Sequence, residues 1–118
     1  MEQIWRGQLG SEEQQTEVWL EIYRLGPDYL AVLGGGLVHL GAFAWAGPLA
    51  GGTQSLGIHK EGPIAEELAQ ILCQGQPGQW MVLAGIHYDH IRPEAIQKIL
   101  EAARQLGQAF IRDFPTRS

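Results

Sequence analysis

The sequence predicts a single α+β domain, a mostly antiparallel sheet of four to five strands with two helices packed on one face. Three observations carry this. A length of 118 residues suits one domain with a real core. The stretch TEVWLEIY, Thr16 to Tyr23, alternates strictly, setting Val18, Leu20 and Ile22 against Glu17, Trp19, Glu21 and Tyr23, as a half-buried strand does. Two helical stripes each follow a proline suited to a first helical position: Ile64, Leu68, Ile71 and Leu72 after Pro63, and Ile96, Ile99, Leu100, Ala103, Leu106 and Phe110 after Pro93.

The elements follow in order. Ile4 to Leu9 reads as the hairpin partner of Thr16 to Tyr23, with polar GSEEQQ between them. Gly26-Pro27-Asp28 marks a turn, and Tyr29 to Leu33 (YLAVL) a buried strand. Gly34, Gly35 and Gly36 lead into Val38 to Ala46, expected as a strand with His39, Gly41, Phe43 and Trp45 on one face. Val38, Leu40, Ala42 and Ala44 then occupy the other. Gly47 to Gly57 (GPLAGGTQSLG) reads as a loop without charge. Gly75 and Pro77 end the first helix, Gln79 to Ile86 is the last strand, and Pro115 stops the second helix.

Composition excludes several classes of function. Hydrophobic content of 45% and charged content of 18% belong to a folded chain rather than a disordered one. The eight Lys and Arg are scattered with none adjacent, so the basic patch that neutralises nucleic-acid phosphates is missing. Tyr29 to Ile58 has no Asp, Glu, Lys or Arg and is long enough to span a bilayer. Its three consecutive glycines, His39 and Pro48 argue against a membrane helix, since each interior Gly costs about 1 kcal/mol and a Pro about 3. The single cysteine, Cys73, forms no internal disulfide and, among Leu68, Ile71 and Leu72, reads as a buried inert thiol. MEQIWRGQLGSEE lacks the basic start and apolar run of a secretory signal, so a cytoplasmic location is expected.

The four histidines mark junctions. His39 follows the glycine triplet, His59 and Lys60 precede the first helix in HKEGP, and His87 and His90 precede the second in HYDHIRP. Elements packed in one layer would bring these junctions to one edge of the sheet. Helix N-termini suit anions, Lys60 and Arg92 would add charge, and Gly34, Gly35 and Gly36 would let a ligand approach the backbone. Against this, glycines after a strand commonly make a plain turn, and GGG matches no phosphate loop. Three imidazoles, His39, His59 and His87, also suit a divalent transition metal, with Glu61 and Asp89 as carboxylate ligands, although HExxH and paired cysteines are missing. His90 reads as a solvated loop residue. No GxSxG elbow surrounds Thr53 or Ser55, and Glu66 and Glu67 sit where a helix dipole favours carboxylates. Among Trp5, Trp19, Trp45 and Trp80, Trp45 is the best platform for a planar ligand, because it shares the expected face of His39.

GGGLVHLGAFA (Gly34 to Ala44), IHKEGPIAEELAQIL (Ile58 to Leu72) and AGIHYDHIRPEAI (Ala84 to Ile96) come in an order and spacing that resembles the LpdD-like family. This is the small D subunit that accompanies gallate-type, UbiD-like decarboxylases. Its pattern is GG, then HIG, then HK before a helix, then AGIH before the last helix, and the likeness covers roughly Tyr29 to Ala103. The resemblance implies one LpdD-like domain over residues 1–118 that acts as a non-catalytic chaperone for prenylated FMN. Such a protein would take the modified flavin, assist its oxidative maturation and hand it to the apo-decarboxylase, with a flavin prenyltransferase as a further partner. Carried over, the cofactor-binding positions are Gly34, Gly35, His39, Gly41, His59, Lys60, Gly85 and His87. His90 has no counterpart, and Ala42 and Phe43 replace an acidic residue that follows HIG in the family. The resemblance further implies that Lys60 and a helix N-terminus hold the flavin phosphate, while the histidines bond the ring carbonyls, donate protons or hold a metal. Two other classes remain open: a small metal-dependent enzyme built on the three histidines, and a decarboxylase assembly subunit whose histidines are structural. A homo-oligomer, such as a homodimer paired through a strand edge, fits any of them.

Overall fold

The computed structural model describes residues 1–56 and 61–115. In chain order it contains β1 (Glu2–Leu9), β2 (Val18–Leu25), β3 (Asp28–Gly36), β4 (Ala42–Ala46), β5 (Gly51–Ser55), α1 (Gly62–Gly75), β6 (Trp80–His87) and α2 (Pro93–Asp113). These make a six-stranded sheet in the order β1-β2-β3-β6-β4-β5. Every neighbouring pair is antiparallel except β3 and β6, which run parallel with Gly36 opposite His87. The expected α+β class and mostly antiparallel sheet are therefore what the chain forms. No helix among the described residues is long and apolar enough to cross a membrane.

Alternation builds the core. Val18, Leu20 and Ile22 of β2, Ala31 and Leu33 of β3, Val82 and Ala84 of β6, and Ala42 and Ala44 of β4 are all buried on one face. They stand in cross-strand register, Leu20 opposite Leu33 and Ala31 and Ala44 both opposite Val82. Both helices pack onto this face, α1 through Ile64, Ala65, Leu68, Ala69 and Leu72, and α2 through Ile99, Ala102, Ala103, Leu106 and Phe110. An aromatic cluster joins the layers. Trp80 stacks on Tyr29 at 4.5 Å, and its ring edge meets Phe110 at 5.8 Å. Phe110 also meets Trp5 edge-on and stacks on Phe114.

Four expectations need correction. The sheet has a sixth strand, because Gly51–Ser55, expected as loop, pairs with β4. An edge strand needs only one partner for its backbone, and GGTQS carries no apolar alternation to announce it. The expected strand Val38 to Ala46 is a strand only over Ala42–Ala46. Val38 and Leu40, expected on the face of Ala42 and Ala44, are exposed. On α2 the inward stripe includes Ala95 rather than Ile96, which is 41% exposed. Cys73 is partly buried, with its thiol 3.6 Å from the Gly78 carbonyl.

Phe110→Ala is expected to cost about 3–5 kcal/mol, because it empties the centre of the aromatic cluster, whereas Ile96→Ala should change stability by about 0.5 kcal/mol or less. Urea unfolding followed by circular dichroism separates the two.

Candidate functional site

β6 lies between β3 and β4, so the chain leaving β3 must cross the end of β6 to begin β4. Gly36 turns it out of the sheet with φ +60, a left-handed conformation natural to glycine. The crossing is then fastened at both ends. Leu37 N–H donates to the His87 carbonyl at 2.8 Å, and Gly41 N–H to the Ala84 carbonyl at 2.9 Å. His39 lies midway, its own carbonyl packed on Gly85, where a Cβ would overlap it. The crossing thus brings His39 to the end of the strand that carries His87. Their rings meet edge to face with centroids 6.0 Å apart.

Each imidazole has a carboxylate. His39 Nε2 lies 3.2 Å from Glu61 Oε1, with side chains 24% and 12% exposed. His39 Nδ1 lies 3.3 Å from the Leu37 carbonyl, so both ring nitrogens face oxygen. A neutral ring donates through only one of them. Glu61 Oε2 is buried with no hydrogen-bond partner among the described residues. His87 Nε2 contacts Asp89 Oδ1 at 2.9 Å in a more open setting. Glu61 stands at the N-cap of α1, just ahead of Pro63. Gly41 leaves room for its carboxylate, because a Cβ there would press on the carboxyl group.

The turn after β6 is anchored away from the histidines. Tyr88 O–H donates to the Glu17 carbonyl at 2.7 Å, and Gln15 Nε2 to the Asp89 carbonyl at 3.1 Å. Burial, and then the negative charges of Glu17 and Glu12, hold the Tyr88 phenol above its usual range, so it stays a donor. His90 is exposed, in a left-handed conformation with φ +54. The crossing itself is apolar. Leu37, Val38 and Leu40 flank His39 along the crossing and are exposed.

The family model of the prenylated flavin chaperone LpdD-like domain matches residues 12–115. The chain belongs to this family. The match takes in every element but β1. A chain from the crystal structure of a novel chaperone complex for yeast 20S proteasome assembly superposes with a TM-score of 0.53 at 13% identity, covering 93% of this chain and 97% of that one. At that identity the likeness is one of fold. No curated protein matches the chain.

The structure of this LpdD-like domain brings some of the predicted residues together. His39 and His87 meet, and the two glycines that admit this, Gly41 and Gly85, are buried within the site. Gly34 and Gly35 are also buried, one beneath the Trp19 ring and the other against the Glu17 carbonyl. His59 and Lys60 lie outside the described residues. Among the described residues no group of three His, Cys, Asp or Glu can hold a metal ion. Glu61 emerges as the acid beside His39. Its place directly after HK was the available signal, although sequence alone left it one of two candidate ligands. Trp45, expected beside His39, stands three residues beyond Ala42 on β4, about 10 Å along the strand from that end. Trp80 is buried in the core.

Gly85→Ala should destabilise the domain by about 1–3 kcal/mol, because its methyl meets backbone that cannot rotate away. Gly41→Ala meets only the end of the Glu61 side chain and should cost less. Thermal unfolding of the two variants checks the order.

Proposed function

We propose that the His39–His87 end of the sheet binds prenylated FMN as a cargo, assists its maturation and delivers it to a UbiD-like decarboxylase. The observation that carries this reading is the pairing of two imidazoles, each beside a carboxylate, on a crossing whose apolar residues are exposed, in a chain of the prenylated flavin chaperone family. A prenylated flavin is broad and apolar in its ring and prenyl group, polar along its carbonyl edge and anionic at its phosphate. Leu37, Val38 and Leu40 suit the first part, and the half-exposed ring of His87 suits the second, with His39 packed edge-on against it.

For the phosphate, the start of α1 offers backbone N–H groups and the positive end of its dipole. Lys60 belongs to the same proposal through its place in the sequence, as does His59. Gly41 and Gly85 enter it as the positions that let the site close on itself, and Gly34 and Gly35 as the strand end that leads into the crossing. Glu61 orients the His39 ring and gives a proton somewhere to go, and Asp89 does the same for His87. The bound flavin would bring the redox chemistry, while these residues would bind it, orient it and hold protons at His39 Nε2 and His87 Nε2. The open crossing then suits release to a partner better than a closed pocket would. The partners in this proposal are the decarboxylase and a flavin prenyltransferase that supplies the cargo.

His87→Ala should weaken prenylated FMN binding about tenfold, the effect of one lost hydrogen bond. His39→Ala should weaken it by removing the ring that packs edge-on against His87, and both should lower activation of the apo-decarboxylase in proportion. His90→Ala should do neither. Native mass spectrometry with and without the flavin, together with circular dichroism of each variant, supplies the reading. Full binding by both folded histidine variants would remove the proposed site.

A further inference from the structure

The face of the sheet opposite the helices carries a second apolar surface. Leu30 and Val32 of β3, Met81 and Leu83 of β6, and Trp45 and Phe43 of β4 form two cross-strand rows on it. Trp45 and Met81 are 40% and 38% exposed. β4, β5 and β6 contain no Asp, Glu, Lys or Arg, and β3 has only Asp28 at its start.

We propose that this face is the interface with a second copy of the chain, sheet packed on sheet. Its composition is that of a buried interface centre, rich in aromatic residues and Met and poor in charge. Its size suits a dimer once a polar rim is counted, in which β1 and β2 set Arg6, Glu21 and Tyr23 beside the apolar rows. A sheet of six strands, each about 4.8 Å from the next and some 20 Å long, presents roughly 500 Å². Two such faces together cover on the order of 1,000 Å², where specific interfaces begin. Sheets joined this way lie about 10 Å apart with strands inclined by about 30°, which suits side chains of this size. A phosphate-bearing ligand would find no cation among the six side chains.

The sheet edges are poorer candidates for pairing. β1 carries an irregularity between Gln3 and Trp5 and presents Arg6, while β5 is five residues long with two glycines. Bulges, charge and short length are the devices that keep an edge from pairing. The face therefore takes the place of the edge as the surface through which this chain self-associates.

Light scattering after size exclusion, without flavin, tests this on the whole chain. The wild-type protein should have twice the chain mass, and so should Ile96→Glu, which alters an exposed residue of α2 on the opposite side of the sheet. The double variant Trp45→Glu, Met81→Glu should associate at least about a hundredfold more weakly, since charge would be buried without a partner. Circular dichroism establishes that the variant folds, and if it does not, Trp45→Ser takes its place. A wild-type chain that stays monomeric over a wide concentration range overturns the proposal, as does a folded variant that dimerises like the wild type. Neither outcome depends on whether the chain binds flavin.

Discussion

The site depends on one topological constraint, the insertion of β6 between β3 and β4. Because the slot beside β3 is filled, residues 37–41 cannot continue in the sheet and must cross the end of β6. Two backbone hydrogen bonds fasten the crossing, and the missing side chain of Gly85 lets it lie flat on the strand. Each bond contributes only about 1 kcal/mol net, yet leaving either partner unpaired would cost more than that. Sterics at Gly85 set the position, and the hydrogen bonds hold it. His39 meets His87 as a consequence of strand order, without a dedicated loop.

The charges in the site follow from the same arrangement. Burying a carboxylate oxygen without a partner costs free energy, and among the described residues Glu61 Oε2 has none. The neighbouring imidazole lessens the cost at Oε1, and Gly41 supplies the space. Asp89 is cheaper, because it stays in water while it meets His87. The two pairs therefore differ in exposure, one sheltered and one open, although both sit at the C-terminal ends of parallel strands. In open α/β sheets that is also where ligands commonly bind.

Much of the fold was legible, and for a physical reason. Strands with one buried face announce themselves by alternation, as Val18, Leu20 and Ile22 do, and helices by the spacing of Leu68 and Leu72 or Leu106 and Phe110. β5 was not legible, because GGTQS has no apolar face to bury and is held by polar contacts, its backbone pairing with β4 and the Thr53 hydroxyl near the Phe43 and Gly62 carbonyls. The crossing was misread as strand because LVHLGAFA alternates well enough, and only the position of β6 decides otherwise. The histidine junctions were legible as places where chemistry could sit, but not as neighbours. Their meeting depends on the order of strands in the sheet, which local pattern does not encode. The site glycines were legible as close-approach positions, while the groups that approach them, the His39 carbonyl and the Glu61 carboxyl, required the folded chain.

The most direct measurement is NMR of the protein labelled at its histidine rings, titrated with prenylated FMN. The account predicts that the His39 and His87 resonances shift together and saturate at the same flavin concentration, while His90 stays in place. Shifts at His90 with no change at His39 and His87, or a flavin that leaves all of them unmoved, would contradict it.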